Sequence, residues 1–249
     1  MTAVGIVTQA RMTSTRLPGK VLLPAAGRSM LDHHLDRLAV VGWPVIVATT
    51  TNASDDPIAD LAAGRGLGLF RGSENDVLSR YLGCAEAFGL DVVVRVTSDC
   101  PLIDGAVVAA GVDQFLAAGD PWLYLSNTLS RTFPRGLDFE VFSTEALRAA
   151  AANATQPYQR EHVTPYLYDQ SDPRVVRRNV SRDNDKSDYR LTLDTPADYG
   201  LLVRLIEQYG ATRLGVDALV AVLDAHPELV AINQHVRQKP AIPASTLSS

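Results

Sequence analysis

Lysine is nearly absent from this chain of 249 residues: Lys20, Lys186 and Lys239 are the only three among 23 basic side chains, which 28 acidic residues outnumber. The formal net charge is −5, and the basic residues are scattered among acids along the whole length. Coating a phosphate backbone takes a clustered basic surface, so nucleic acid is not an expected partner and any anion site must be local. Cysteine is scarce too. Cys84 and Cys100 have neither the spacing of a zinc site nor that of a disulfide framework, which points to a reducing, cytoplasmic setting. No apolar run reaches the ~18 residues of a membrane span; the best, residues 40–48, is broken by Gly42 and Pro44. The first residues enter a strand-like stretch without the basic segment and apolar core of a signal peptide. A soluble cytoplasmic protein without a membrane partner is expected.

Two common nucleotide motifs are also missing. G-x-x-x-x-G-K-[ST] does not occur. Gly64, Gly66 and Gly68 are spaced G-x-G-x-G ahead of a strand, where they read as a helix stop and turn rather than a dinucleotide fingerprint.

What is present is an ordinary globular composition, 46% hydrophobic, with a mean hydropathy of +0.02. Short β-branched runs (residues 3–8, 45–50, 67–70 and 92–96) alternate with segments of helical period (31–40, 58–65, 77–88, 106–117 and 144–152). The expected fold is α/β: a Rossmann-like, mostly parallel sheet with helices on both faces. Residues 123–125 and 138–142 add a small segment of antiparallel strands. Thr195 and Pro196 read as N-cap and first position of a helix reaching about Tyr209. A single domain over 1–237 is expected, followed by a disordered tail, 238–249, with few apolar anchors.

Ligands of open parallel sheets sit at the carboxyl ends of the strands, and the first such end carries the most informative stretch of the chain. Gln9-Ala10-Arg11-Met12-Thr13-Ser14-Thr15-Arg16-Leu17-Pro18-Gly19-Lys20 gathers three fixed positive charges with hydroxyl and backbone donors. In an otherwise acidic protein this is a local anion site. A solvated surface turn is the bland reading, which the position after a strand disfavours.

These residues resemble the cytidylyltransferases that make CMP-activated sugar acids, most closely their SpsF-like branch. The resemblance covers most of residues 3–205. It rests on QARMTSTRLPGK (9–20), VATTTNASDDPI (47–58), FRGSENDVLSRY (70–81), RVTSDCPLID (95–104), SNTLSRTFPRGLDFEVFS (126–143), REHVTPY (160–166) and RLTLDTPADY (190–199), in that order. It implies a nucleotidyltransferase of the GT-A type that uses Mg²⁺ and CTP and releases pyrophosphate. On that likeness Ala10, Arg11, Ser14, Arg16 and Lys20 hold the triphosphate, with Arg11, Arg16 and Lys20 opposing the charge that builds on pyrophosphate. Asp99 and Asp194 are the implied metal ligands, both expected at strand ends. Sugar-acid members often have Gln-Gly-Asp-Glu-Pro where this chain has Thr97-Ser98-Asp99-Cys100-Pro101. The aspartate survives and the glutamine does not, so Thr97 is a weaker contact for cytosine, and Arg71, Gly72, Ser73 and Asp76 are the better candidates to frame the base. A homodimer is implied as well, with residues 122–168 as its contact.

Several residues carry two readings. Asp99 could cap a turn and Asp194 a helix start. Asp138 and Glu140 alternate and share a strand face, where they could bind a metal, bind acceptor hydroxyls or face solvent. Glu161 and His162 could serve as acid or base or be structural; His33 and His34 read as surface and packing residues, and Cys84 as core. Asn127, Arg131, Arg135 and Arg160, with Asp138 and Glu140, are the candidates to hold a small anionic acceptor, either a sugar acid or a phosphonate or phosphate. The alternative function is a GT-A glycosyltransferase using a nucleotide sugar, with Asp138-x-Glu140 as its metal motif.

Overall fold

Val45 and Val47 face one side of the sheet and Ile46 and Ala48 the other, and both sets are buried. This two-sided burial is why the strands read as continuous apolar runs, and it requires helices on both faces. The computed structural model describes residues 2–238, so the expected tail, apart from Gln238, lies outside the described residues.

The first half alternates as expected: β1 (Val4–Gln9), a hairpin of β2 (Pro24–Ala25) and β3 (Arg28–Ser29), α1 (Met30–Ala39), β4 (Val45–Thr50), α2 (Asp56–Gly64), β5 (Gly68–Gly72), α3 (Val77–Ala87), β6 (Val92–Thr97) and α4 (Gly105–Ala118). Then follow β7 (Leu123–Ser126), β8 (Glu140–Ser143), α5 (Thr144–Asn153), α6 (Pro157–His162), α7 (Pro165–Tyr168), β9 (Val176–Asn179), α8 (Pro196–Tyr209), α9 (Val216–Ala225) and α10 (Pro227–Val230). The seven-stranded sheet has the order β5-β4-β1-β6-β8-β7-β9. Only β8 runs against the rest, pairing antiparallel with both β6 and β7.

One face packs α1, α2 and α4 through Leu31, Leu35, Ile58, Val108 and Val112. The opposite face packs α3 and α5 through Leu78, Tyr81, Cys84 and Leu147. A third cluster ties α8 and α9 to Leu191 and Leu193. Thr195 caps α8 in a reciprocal box with Asp198, and Pro196 stands at the first position. Among the described residues no helix is long and apolar enough to cross a membrane.

Three expectations change. His33 and His34, read as surface and packing residues, are both packing residues inside the fold. The β2–β3 hairpin and edge strand β9 were not anticipated; β9 exposes Val176, Arg177 and Arg178 and so lacks apolar alternation. Asp138 precedes β8, which begins at Glu140.

Candidate active site

The carboxyl ends of β1 and β6 open on one cleft of about 400 Å³. The loop after β1 forms its basic wall with Ala10, Arg11, Ser14, Arg16 and Lys20, and Thr97 and Asp99 arrive at the end of β6. Asp194 and Gln238 close one side, and Val77 and Arg80 of α3 with Glu161 and His162 of α6 complete it. The loop is held by Met12, whose N–H donates to Asp55 at 2.8 Å and whose carbonyl accepts from Gly19 N–H at 2.9 Å. Gly19 has φ +68°, a left-handed turn that a side chain disfavours, and this turn carries Lys20 back over the cleft.

Lys20 Nζ donates to Asp99 Oδ2 at 2.8 Å and to Asp194 Oδ1 at 2.9 Å. Burial alone would lower the pKa of this ammonium, yet the two carboxylates raise it above its ordinary value. Burial likewise works against ionised Asp99, but Lys20 and a 2.6 Å hydrogen bond from Thr97 Oγ1 hold its carboxyl down at about 2. The second oxygen of Asp194 is held by Arg16 and Arg190, each at 2.9 Å. Arg190 also pairs with Asp198 at 2.8 Å and reaches Gln238.

Asp194 does not end a strand, as expected, but lies in an irregular extended segment, 190–194, laid against Arg135 and Asp99. Gly136, at φ +99°, permits this approach: a Cβ there would meet the backbone nitrogen of Thr192 at 2.5 Å. Beneath Asp99, Ser98 and Thr8 hydroxyls are 2.8 Å apart and Thr8 bonds His34 Nε2, while His34 Nδ1 bonds the Cys100 carbonyl, each at 2.8 Å. A carbonyl only accepts, so Nδ1 carries the proton and Nε2 accepts. Burial keeps this imidazole neutral, with a pKa of about 4.

A second cavity, about 550 Å³, adjoins the first, and Thr97, His162 and Gln238 line both. Arg131 grips Asp138, with one contact at 2.7 Å, and the buried Glu140 accepts from Arg95, Tyr124 and Thr164. Arg95 and Glu140 are directly opposed across β6 and β8. Each carboxylate of Asp138-x-Glu140 is thus held by an arginine. Burial also lowers the pKa of His162, so its imidazole is neutral near pH 7.

Other expected residues have different tasks. Arg71 gives its guanidinium to the carbonyls of Thr50 and Asn52, both at 2.8 Å, and to Asp56 at 2.7 Å. Gly72 belongs to β5, Ser73 braces the turn into α3, and Asp76 caps α3. None of these four lines the cleft. Asn127 is fully buried, bridging Leu137 and Phe139 backbone groups. Arg160 pairs with Asp76 at 3.2 Å, outside both cavities, and Arg135 lines neither. Arg80, by contrast, does line the cleft. Its signal was an arginine on the buried stripe Val77, Tyr81, Cys84 of α3.

Two carboxylates sharing one cationic point suit a divalent ion completed by water and phosphate. Among the described residues no group of three or more His, Cys, Asp or Glu side chains forms an all-protein cage. A mostly parallel sheet with a basic loop after its first strand and an acidic pair across from it defines a nucleotidyltransferase.

The comparisons narrow that class. A family profile described as Cytidylyltransferase matches residues 4–219, and the chain belongs to this family. A solved cytidylyltransferase from Leptospira borgpetersenii is 35% identical, covers 96% of this chain and all of its own, and superposes with a TM-score of 0.87. The spore coat polysaccharide biosynthesis protein SpsF of Bacillus subtilis is 29% identical over 239 residues, 92% of this chain and 97% of its own. The 3-deoxy-manno-octulosonate cytidylyltransferase of Methylorubrum populi is 39% identical over 113 residues, 43% of this chain and 44% of its own.

Proposed function

We propose that this enzyme transfers CMP from CTP to a hydroxyl of a sugar acid, releasing pyrophosphate. The observation that carries this reading is the pair of adjoining cavities, the first with a basic wall and the second balanced in charge. The first is edged by Arg11, Arg16 and Lys20, which suits a triphosphate. In the second, two arginines are balanced by two carboxylates among the hydroxyls of Thr128, Thr164 and Tyr168. That balance suits a polyhydroxylated acid of low charge better than a phosphonate dianion. The names of the relatives, a polysaccharide biosynthesis protein and an octulosonate cytidylyltransferase, support the same class.

In this reading Arg11, Ser14 and Arg16 bind the triphosphate, and Lys20 leaves the aspartates to oppose charge on the departing pyrophosphate. Asp99 and Asp194 would hold Mg²⁺, which when bound supplies charge neutralisation on the phosphates. The acceptor oxygen enters past the shared wall, its bond to the α-phosphorus forms as the bond to pyrophosphate breaks, and neutral His162 takes the hydroxyl proton. The family resemblance adds a homodimer, which sedimentation would test. The decisive experiment supplies four nucleoside triphosphates with a panel of sugar acids and phosphonates and measures pyrophosphate. CTP with a sugar acid is expected to lead; equal turnover of CTP and UTP, or turnover with phosphonates only, would overturn the reading.

A further inference from the structure

Gln238 stands beyond residues 4–219, the stretch that the family profile matches, yet with Thr97 and His162 it lines both cavities. The buried Asn233 anchors the segment that carries it, through the Arg190 carbonyl and Asp198. Gln238 Oε1 accepts from Arg190 Nη1 at 2.8 Å. A guanidinium only donates, so the amide oxygen must be the atom that faces Arg190, and the –NH2 is left over. Among the described residues this Nε2 has no partner. The acceptor cavity is short of such donors. Arg131 is committed to Asp138 and Arg95 to Glu140, so neither guanidinium brings net charge to a bound acid. In the proposed reaction His162 accepts a proton, which leaves the Gln238 amide as an untied donor bordering both substrates.

We propose that Gln238 positions the acceptor: its Nε2 donates to the carboxylate of the sugar acid at the wall the two cavities share. The guanidinium that holds Gln238 through Nη1 also holds Asp194 Oδ2 through Nη2 at 2.9 Å. That fork is planar and rigid, so the acid is held in register with the aspartate that would carry the metal. This rests on the sugar-acid reading above.

The experiment is steady-state pyrophosphate release by wild type, Gln238→Glu and Gln238→Ala, with CTP and the sugar acid of highest turnover in the panel above. Thermal melts check the fold, and the methyl ester of the same acid is measured as a competitive inhibitor. Glutamate keeps an oxygen for Arg190 and replaces only the donor, whereas alanine removes both. Each variant should raise the acceptor KM about tenfold or more, and Gln238→Ala should leave the CTP KM within about twofold. In wild type the ester should bind about tenfold more weakly than the acid, and in Gln238→Ala that gap should shrink to no more than about threefold. A Gln238→Glu enzyme with unchanged acceptor KM beside an impaired Gln238→Ala would show that the residue only ties down the chain, and overturns the proposal. So does an acid-to-ester gap that survives in Gln238→Ala, or a CTP KM that rises with the acceptor KM there. Turnover with no sugar acid at all overturns the sugar-acid reading along with it, whereas turnover with an unchanged gap overturns the Gln238 role alone.

Discussion

The two adjoining cavities treat charge differently. In the nucleotide cleft Lys20 divides its ammonium between two carboxylates, and Arg11 is half-exposed with one long contact to Glu74 at 3.5 Å. In the proposed reading these cations exchange carboxylates for phosphates. In the second cavity Arg131 is locked to Asp138, and Arg95 to a buried Glu140 that also accepts from Tyr124 and Thr164. Those groups stay where they are and present hydroxyls and fixed dipoles. In that reading the first set opposes charge that moves onto pyrophosphate, and the second presents a fixed pattern to the acceptor.

The contrast breaks most completely at the acidic pair. Asp99→Asn and Asp194→Asn should each lower turnover by on the order of 100- to 1000-fold, measured as pyrophosphate release on variants that a melt shows to be folded; near-normal turnover would make that residue a cap. In the fixed cavity the same kind of change should strike stability instead. Arg95→Met strands the Glu140 carboxylate and is expected to cost about 3 to 5 kcal/mol, read from denaturant unfolding.

The third test concerns the His34 latch under Asp99. Its folded pKa, about 4, lies below the ordinary imidazole value of 6.5, so its contribution is fully present above about 6.5 and is lost as pH falls toward 4. At 1.36 kcal/mol per unit this amounts to about 3 kcal/mol. Melting curves of wild type should therefore fall across that window, and those of His34→Gln should be flatter. The smallest expected effect is at Arg131: Arg131→Ala should raise the acceptor KM by about tenfold and leave the CTP KM alone. A change in both would mean the two cavities are not separable.

Sequence periodicity placed β1, β4, β6 and α3 within a residue or two, because a strand buried on both faces or a helix with one apolar stripe writes its geometry into spacing. The loop's place after β1 marked it as an anion site, and the family resemblance pointed to both aspartates. Periodicity did not locate β9, an edge strand whose arginines face solvent, nor the tasks of Asn127, Arg71 and Arg160. Those side chains point at backbone groups or at residues distant in sequence, and residue type alone does not tell a guanidinium waiting for substrate from one tying down a loop. Arg80 is the converse, a charge whose helical register already placed it inside.

The segment after α10 deserves a practical reading. Asn233 donates to the Arg190 carbonyl at 3.0 Å and to Asp198 at 2.8 Å, and Gln238 accepts from Arg190 at 2.8 Å. Arg190 in turn holds Asp194. Deleting residues from 231 onward, or fusing a rigid tag directly after Gln238, is therefore an active-site alteration made from outside. A truncated or tagged preparation with low turnover would report on that connection before it reported on the choice of substrate.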